Sequence, residues 1–124
     1  MNALHGLLLT HDLMFTSKIT STAASLGLRI DTVSSVEQLQ LRAATTSPRV
    51  VFLDLNCAEF DPSRVVAALP TEGRPRVIAF GSHVDAARLN EARAAGCDEV
   101  LPRSKFSATL PELLRQVFSL DGSL

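Results

Sequence analysis

The chain has no tryptophan and no tyrosine among its 124 residues, so no indole or phenol is available to shield a flavin ring. Cysteine is nearly as scarce. Cys57 and Cys97 stand far apart, in no CxxC pair and beside no histidine cluster at ligand spacing, which leaves two reduced thiols packed as small apolar groups as the expected state rather than a disulfide or zinc site. An excess of charge of either sign is also missing. Twelve Lys and Arg against thirteen Asp and Glu give a formal net charge of -1 and a pI near 6.3, too little field to draw the chain onto nucleic acid or an anionic membrane surface. Apolar runs such as Leu7 to Leu9 and Val50 to Leu53 fall far short of a bilayer span, and the N-terminus lacks the basic, apolar and small-residue order of a signal peptide. A cytoplasmic location, with no membrane and no nucleic-acid partner, is the expectation.

What remains is an ordinary globular balance, 46% hydrophobic and 20% charged, in a chain long enough to close one core without disulfide or metal. A single domain over residues 1–124 is expected. Short apolar runs alternate with segments of helical period, the pattern of a parallel sheet covered on both faces. The first strand is His5 to Thr10. The helix after it places Phe15, Ile19, Ala23 and Leu26 on one face and stops at Gly27. Leu28 to Val33 alternates as an edge strand would, and Ser34 starts a helix with Glu37 in the reciprocal capping-box position.

Val50 to Leu55 is the most hydrophobic strand, and Asp61 with Pro62 opens a helix running to about Leu69. Arg76 to Gly81 forms the fourth strand, Ser82 and Asp85 cap a helix ending at Gly96, and Glu99 to Pro102 forms the fifth strand. The last helix is predicted from Ser107 or Thr109, carrying Leu110, Leu113, Leu114 and Val117 inward, with Asp121 to Leu124 as a frayed tail. Short right-handed crossovers between five such units predict an α/β fold: a doubly wound five-stranded parallel sheet in the flavodoxin-like order 2-1-3-4-5 with helices on both faces.

Ligands of such sheets bind outside the carboxyl ends of the strands, where the strand order reverses. The first strand delivers Thr10, His11 and Asp12 to that edge, the third Asp54, the fourth Gly81 and Ser82, and the fifth Pro102 and Arg103. Asp12, Asp54 and the backbone carbonyl of Asn56 form a workable oxygen set for a Mg2+ ion that keeps several waters. Asp12 equally suits a helix cap. Asp54, placed directly after four apolar residues, is partly desolvated, a state in which carboxylates are more often functional.

An apolar strand ending in an acid, a second ending in Leu53, Asp54 and Leu55, and the run Gly96, Cys97, Asp98, Glu99, Val100, Leu101, Pro102 together resemble the receiver domain of two-component response regulators. The resemblance covers nearly the whole chain. It implies Asp54 as phosphoacceptor, Asp12, Asp54 and the Asn56 carbonyl as magnesium ligands, and a histidine kinase or another signalling protein as partner. It also marks the fourth and fifth helices as a candidate homodimer surface.

Several positions depart from the family pattern. The acidic pair reads His11, Asp12, which removes one carboxylate and weakens the metal. The family's Ser or Thr after the fourth strand aligns with Gly81, its Lys with Arg103, and its aromatic switch residue with Val100. Arg103 is a candidate phosphate partner of different reach and geometry, and Lys105 a less well placed one. Arg88, Arg93 and Arg115 read as solvated surface. The expectation is an atypical receiver-like module, not an enzyme, acting mainly by protein contact with phosphorylation of Asp54 impaired. The alternatives are a conventional magnesium-dependent phosphoacceptor and, further off, a small flavodoxin-like enzyme, for which the loop after the first strand lacks glycine.

Overall fold

Strands with unbroken apolar triplets leave neither face to water, and both faces of this sheet are covered. The structure, a computed structural model, describes residues 5–118; the tail expected at Asp121 to Leu124 lies outside them. Strands and helices alternate as β1 (His5–Leu9), α1 (Leu13–Ser25), β2 (Arg29–Val33), α2 (Val36–Thr46), β3 (Val50–Asp54), α3 (Pro62–Ala67), β4 (Arg76–Gly81), α4 (Ala86–Ala95), β5 (Glu99–Pro102) and α5 (Arg103–Phe118). The sheet is parallel throughout, in the order β2-β1-β3-β4-β5. Register sets Leu9 opposite Leu53 and Asp54 opposite Phe80, which brings the ends of β1, β3 and β4 to one edge.

The two-residue period of the strands divides the core in two. Leu7, Leu9, Val51, Leu53, Val77 and Ala79 face α2, α3 and α4. Leu8, Val50, Phe52, Ile78 and Phe80 face α1 and α5. Five of the six phenylalanines lie on this second side. There the rings of Phe80 and Phe106 stack at 4.3 Å, with Phe15 edge-on to both and Phe52 edge-on to Phe106, arrangements that add to area burial. Among the described residues no helix is long and apolar enough to cross a membrane.

Two helix starts differ from the sequence reading. The cap of α2 is Ser35, whose hydroxyl accepts from the Gln38 amide at 3.0 Å, while the Gln38 side chain accepts from the Ser34 amide at 2.7 Å. With two serines in tandem, the one three residues before Gln38 wins. The larger difference is α5, which starts at Arg103 rather than Ser107 or Thr109. Helical geometry from Arg103 puts Phe106, Leu110, Leu113 and Leu114 on one buried stripe. Pro111, which points a sequence reading to a helix start just before it, sits exposed inside the helix instead. The other predicted elements agree to within one or two residues at their ends. Gly96 closes α4 in the left-handed conformation, at φ 101°.

Away from the candidate site, Asp31 in the middle of edge strand β2 receives His5 Nε2 at 2.8 Å, Arg42 at 2.8 Å and Arg29 at 3.2 Å. Partial burial works to raise the Asp31 carboxyl, but the hydrogen bonds and charges of His5 and Arg29 outweigh it and hold the group below its ordinary value. Its contribution to stability is therefore present above the usual aspartate pKa and is lost as pH falls through the lowered one. Urea unfolding between neutral pH and about pH 3 is expected to show a stability loss that is shallower in Asp31→Asn; an unchanged slope counts against the network. Phe106→Ala is expected to cost about 3–5 kcal/mol by the same measurement, and a loss under about 1 kcal/mol would contradict the burial of this residue by α5.

Candidate functional site

A carboxylate at the end of a doubly covered strand must find its donors within the protein. Asp54 is 1% exposed. Its Oδ2 accepts from the Thr10 hydroxyl at 2.6 Å and faces the Cys57 thiol at 3.8 Å; its Oδ1 accepts from the Asn56 amide at 3.0 Å. Thr10 is 6% exposed, and its hydroxyl oxygen also accepts from the Asp12 amide at 3.1 Å. Burial pushes the Cys57 thiol up, with the Asp54 and Glu59 charges acting the same way, so this sulfur stays protonated and donates.

Asp12 caps α1: its Oδ1 accepts from the Phe15 amide at 3.1 Å and its Oδ2 pairs with the Arg103 guanidinium. The Phe15 amide and Arg103 hold the Asp12 carboxyl below the usual range. The Arg103 guanidinium carbon lies over the Phe15 ring, 4.4 Å from its centre, a cation–π contact that adds to the ion pair in fixing the guanidinium. His11 turns away from Asp12. Its Nε2 meets Glu59 at 2.9 Å, and its ring packs against Phe60 at 5.1 Å.

The structure thus brings Asp12 and Arg103 together and links Asp54 to Asp12 through Thr10. Asn56 engages Asp54 by its amide. Lys105 is exposed on the first turn of α5. As arranged, each oxygen of Asp12 and of Asp54 has a protein partner and Arg103 places positive charge beside Asp12, so a magnesium ion at these donors would compete with those contacts. Among the described residues no group of three or more His, Cys, Asp or Glu is gathered around a point where an ion would sit.

Between the loops after β3, β4 and β5 opens a cleft of about 480 Å³, lined by Phe15, Asn56, Ser82, His83, Arg103 and Ser104 among others. Gly81 is closed off from it. A Cβ built on Gly81 lies 3.0 Å from Leu55 Cβ, 3.4 Å from Leu55 Cδ1 and 3.6 Å from Leu89 Cδ2, so a side chain there would have to push the Leu55 Cβ back by a few tenths of an ångström. Val100 is half-buried against the α4 side of the core.

Two residues of this edge escape a sequence reading of roles. Thr10 gives one faint signal, a polar side chain straight after three leucines. Arg88 gives none, since its spacing is no different from that of Arg93 or Arg115. Rather than facing solvent, Arg88 is 20% exposed and folds over the loop after β3. Its Nε and Nη2 donate to the Leu55 carbonyl at 3.1 and 3.0 Å, Nη2 also reaches the Cys57 and Phe60 carbonyls at 3.4 Å, and Nη1 pairs with Glu91 at 3.0 Å. Arg93 and Arg115 remain on the surface, beside Asn90 and Glu112. Gly81→Ser is expected to lower stability by about 1–3 kcal/mol in a denaturant titration, because the Leu55 Cβ is held by backbone and has little room to yield. A neutral or stabilising result would contradict the crowding.

No protein-family model and no curated protein matches the chain. Solved structures do match over nearly its full length. A response-regulator receiver domain from Bermanella marisrubri is 18% identical with a TM-score of 0.79, covering 94% of this chain and 98% of its own. A chemotaxis response regulator of Vibrio cholerae is 15% identical with a TM-score of 0.75, over 94% and 99%. An orphan response regulator of H. pylori is 14% identical with a TM-score of 0.72, over 93% and 96%. By strand order, covered faces and these likenesses together, the chain has the receiver-domain fold of response regulators.

Proposed function

We propose that the chain is an atypical receiver-type signalling module that works in the cytoplasm mainly through protein–protein contact, with phosphorylation of Asp54 impaired and no catalytic reaction of its own. The observation that carries this reading is the state of Asp54. A phosphoacceptor attacks through a carboxylate oxygen that must be reachable and lightly bonded, whereas this carboxylate is 1% exposed and engaged by Thr10, Asn56 and Cys57. Freeing Oδ2 from the Thr10 hydroxyl alone would give up a charge-assisted bond worth about 1.5–3 kcal/mol. Arg103 is held by Asp12 through Nη2, and that pairing sets how its remaining donors could meet an incoming phosphoryl group. The crowding at Gly81 supports the same reading, because position 81 carries no hydroxyl to follow a phosphoryl oxygen and has little room for one.

Partners are then proteins: a histidine kinase or another signalling protein, and a second copy through the α4, β5 and α5 surface. Strand β5 at the sheet edge leaves Val100 and Leu101 only half-buried, which supports an apolar contact there. Magnesium is expected to bind weakly at most.

The competing reading, a magnesium-dependent phosphoacceptor, keeps Asp54 and Arg103 at the expected places. Amide spectra recorded with magnesium and beryllofluoride separate the two. The adaptor reading expects the Asn56 and Arg103 amides to stay put through the millimolar range of magnesium. Saturable shifts that disappear in Asp54→Asn would overturn it in favour of phosphotransfer.

A further inference from the structure

With glycine at position 81 and valine at position 100, the hydroxyl and aromatic groups that would carry a change at Asp54 across the domain are absent, yet the loop after β3 is tied to α4 by another route. We propose that Arg88 is a positioning residue that couples the Asp54 loop to α4, so that a change at the Asp54 carboxylate moves α4 through the guanidinium. The chain of contacts is short. The Asn56 amide bonds Asp54 Oδ1, and the carbonyl of Leu55, the residue between them, receives both Nε and Nη2 of Arg88. Any change of charge or size at the carboxylate therefore displaces a peptide unit held in the Arg88 fork.

The other end of the link is anchored as firmly. The Arg88 amide donates to the Asp85 side chain at 3.2 Å as part of the α4 cap, and Nη1 pairs with Glu91 one turn on. Beside it, Leu55 and Leu89 both flank Gly81 within one core cluster, so the loop and α4 share packing where β4 ends. Leu55 itself donates its amide to the Phe80 carbonyl at 2.8 Å, which ties the loop to the sheet, while its carbonyl is tied to α4 through Arg88. A guanidinium suits this task because its planar donors hold several carbonyls in one geometry, whereas an ammonium would make one flexible contact.

The inference rests on the receiver-type reading only for its use, a signal leaving through α4. Its test involves no phosphoryl mimic, metal or partner, so its failure is distinguishable from failure of that reading. The test perturbs the site by Asp54→Asn and, separately, by Thr10→Val, and follows amide shifts in the full chain with Arg88 intact, as Arg88→Met and as Arg88→Lys. With Arg88 intact, both perturbations are expected to shift amides over Leu55 to Phe60 and along α4. In Arg88→Met the loop shifts persist while those of α4 fall to the level of α2, and Arg88→Lys restores them only in part. A thermal melt checks that each variant is folded; should the Met variant not fold, the Lys variant is expected to show α4 shifts reduced by half or more relative to the loop. Shifts in α4 that survive both substitutions undiminished, or a silent α4 with Arg88 intact, would overturn the proposal.

Discussion

The hydrogen bond from the Thr10 hydroxyl to Asp54 joins the two central strands at the point where the sheet would otherwise bury an unpaired charge. Strands β1 and β3 are adjacent, apolar and covered on both faces, and a carboxylate at the end of such a strand is tolerated only with donors of its own. Thr10 supplies one of them, and its oxygen in turn receives the Asp12 amide. The Asp12 amide, just before α1, is thereby tied to the same group, while the Asp12 side chain is held by the Phe15 amide and Arg103. Much of the candidate site is therefore also the internal solvation shell of Asp54.

The electrostatics of the edge follow a similar economy. Asp12 is neutralised by a guanidinium that rests on an aromatic ring, and His11 faces Glu59 rather than joining the acids. Positive charge is thus provided by a covalently attached group, which no chelator can remove and no dilution can dissociate. An arrangement of this kind holds its shape without a bound ion, and in that respect it differs from a site whose carboxylates repel until a cation arrives.

The order of elements and the edge on which chemistry would gather were legible because both depend on coarse properties: apolar period, caps such as Asp61 with Pro62, and stops such as Gly27 and Gly96. Strand order followed from the handedness of short crossovers. The start of α5 was not legible, because Pro111 imitates a first-turn proline while the decisive fact, the burial of Phe106 against Phe80, is a tertiary one. The pattern placed Asp12, Asp54 and Arg103 at the edge where they lie, but did not give their partners. Whether an aspartate solvates itself on a threonine, caps a helix or waits for a cation depends on distances of a few tenths of an ångström that residue type does not encode. Arg88 is the clearest case, since of three helical arginines read alike as solvated surface, Arg93 and Arg115 went to solvent and Arg88 turned inward.

The packing at the end of β4 bears on how such a module could change over generations. Leu55 and Leu89 occupy the volume beside Gly81, and Leu55 is also the residue whose carbonyl Arg88 holds. A mutation that installs a hydroxyl at position 81 meets Leu55 before it can serve any purpose, and a mutation that trims Leu55 first leaves a void in the core. Neither order of the two steps is free of cost. The missing hydroxyl is thus protected by its neighbours, and a lineage carrying this arrangement would tend to keep it by steric inheritance even where selection on the signalling output is weak.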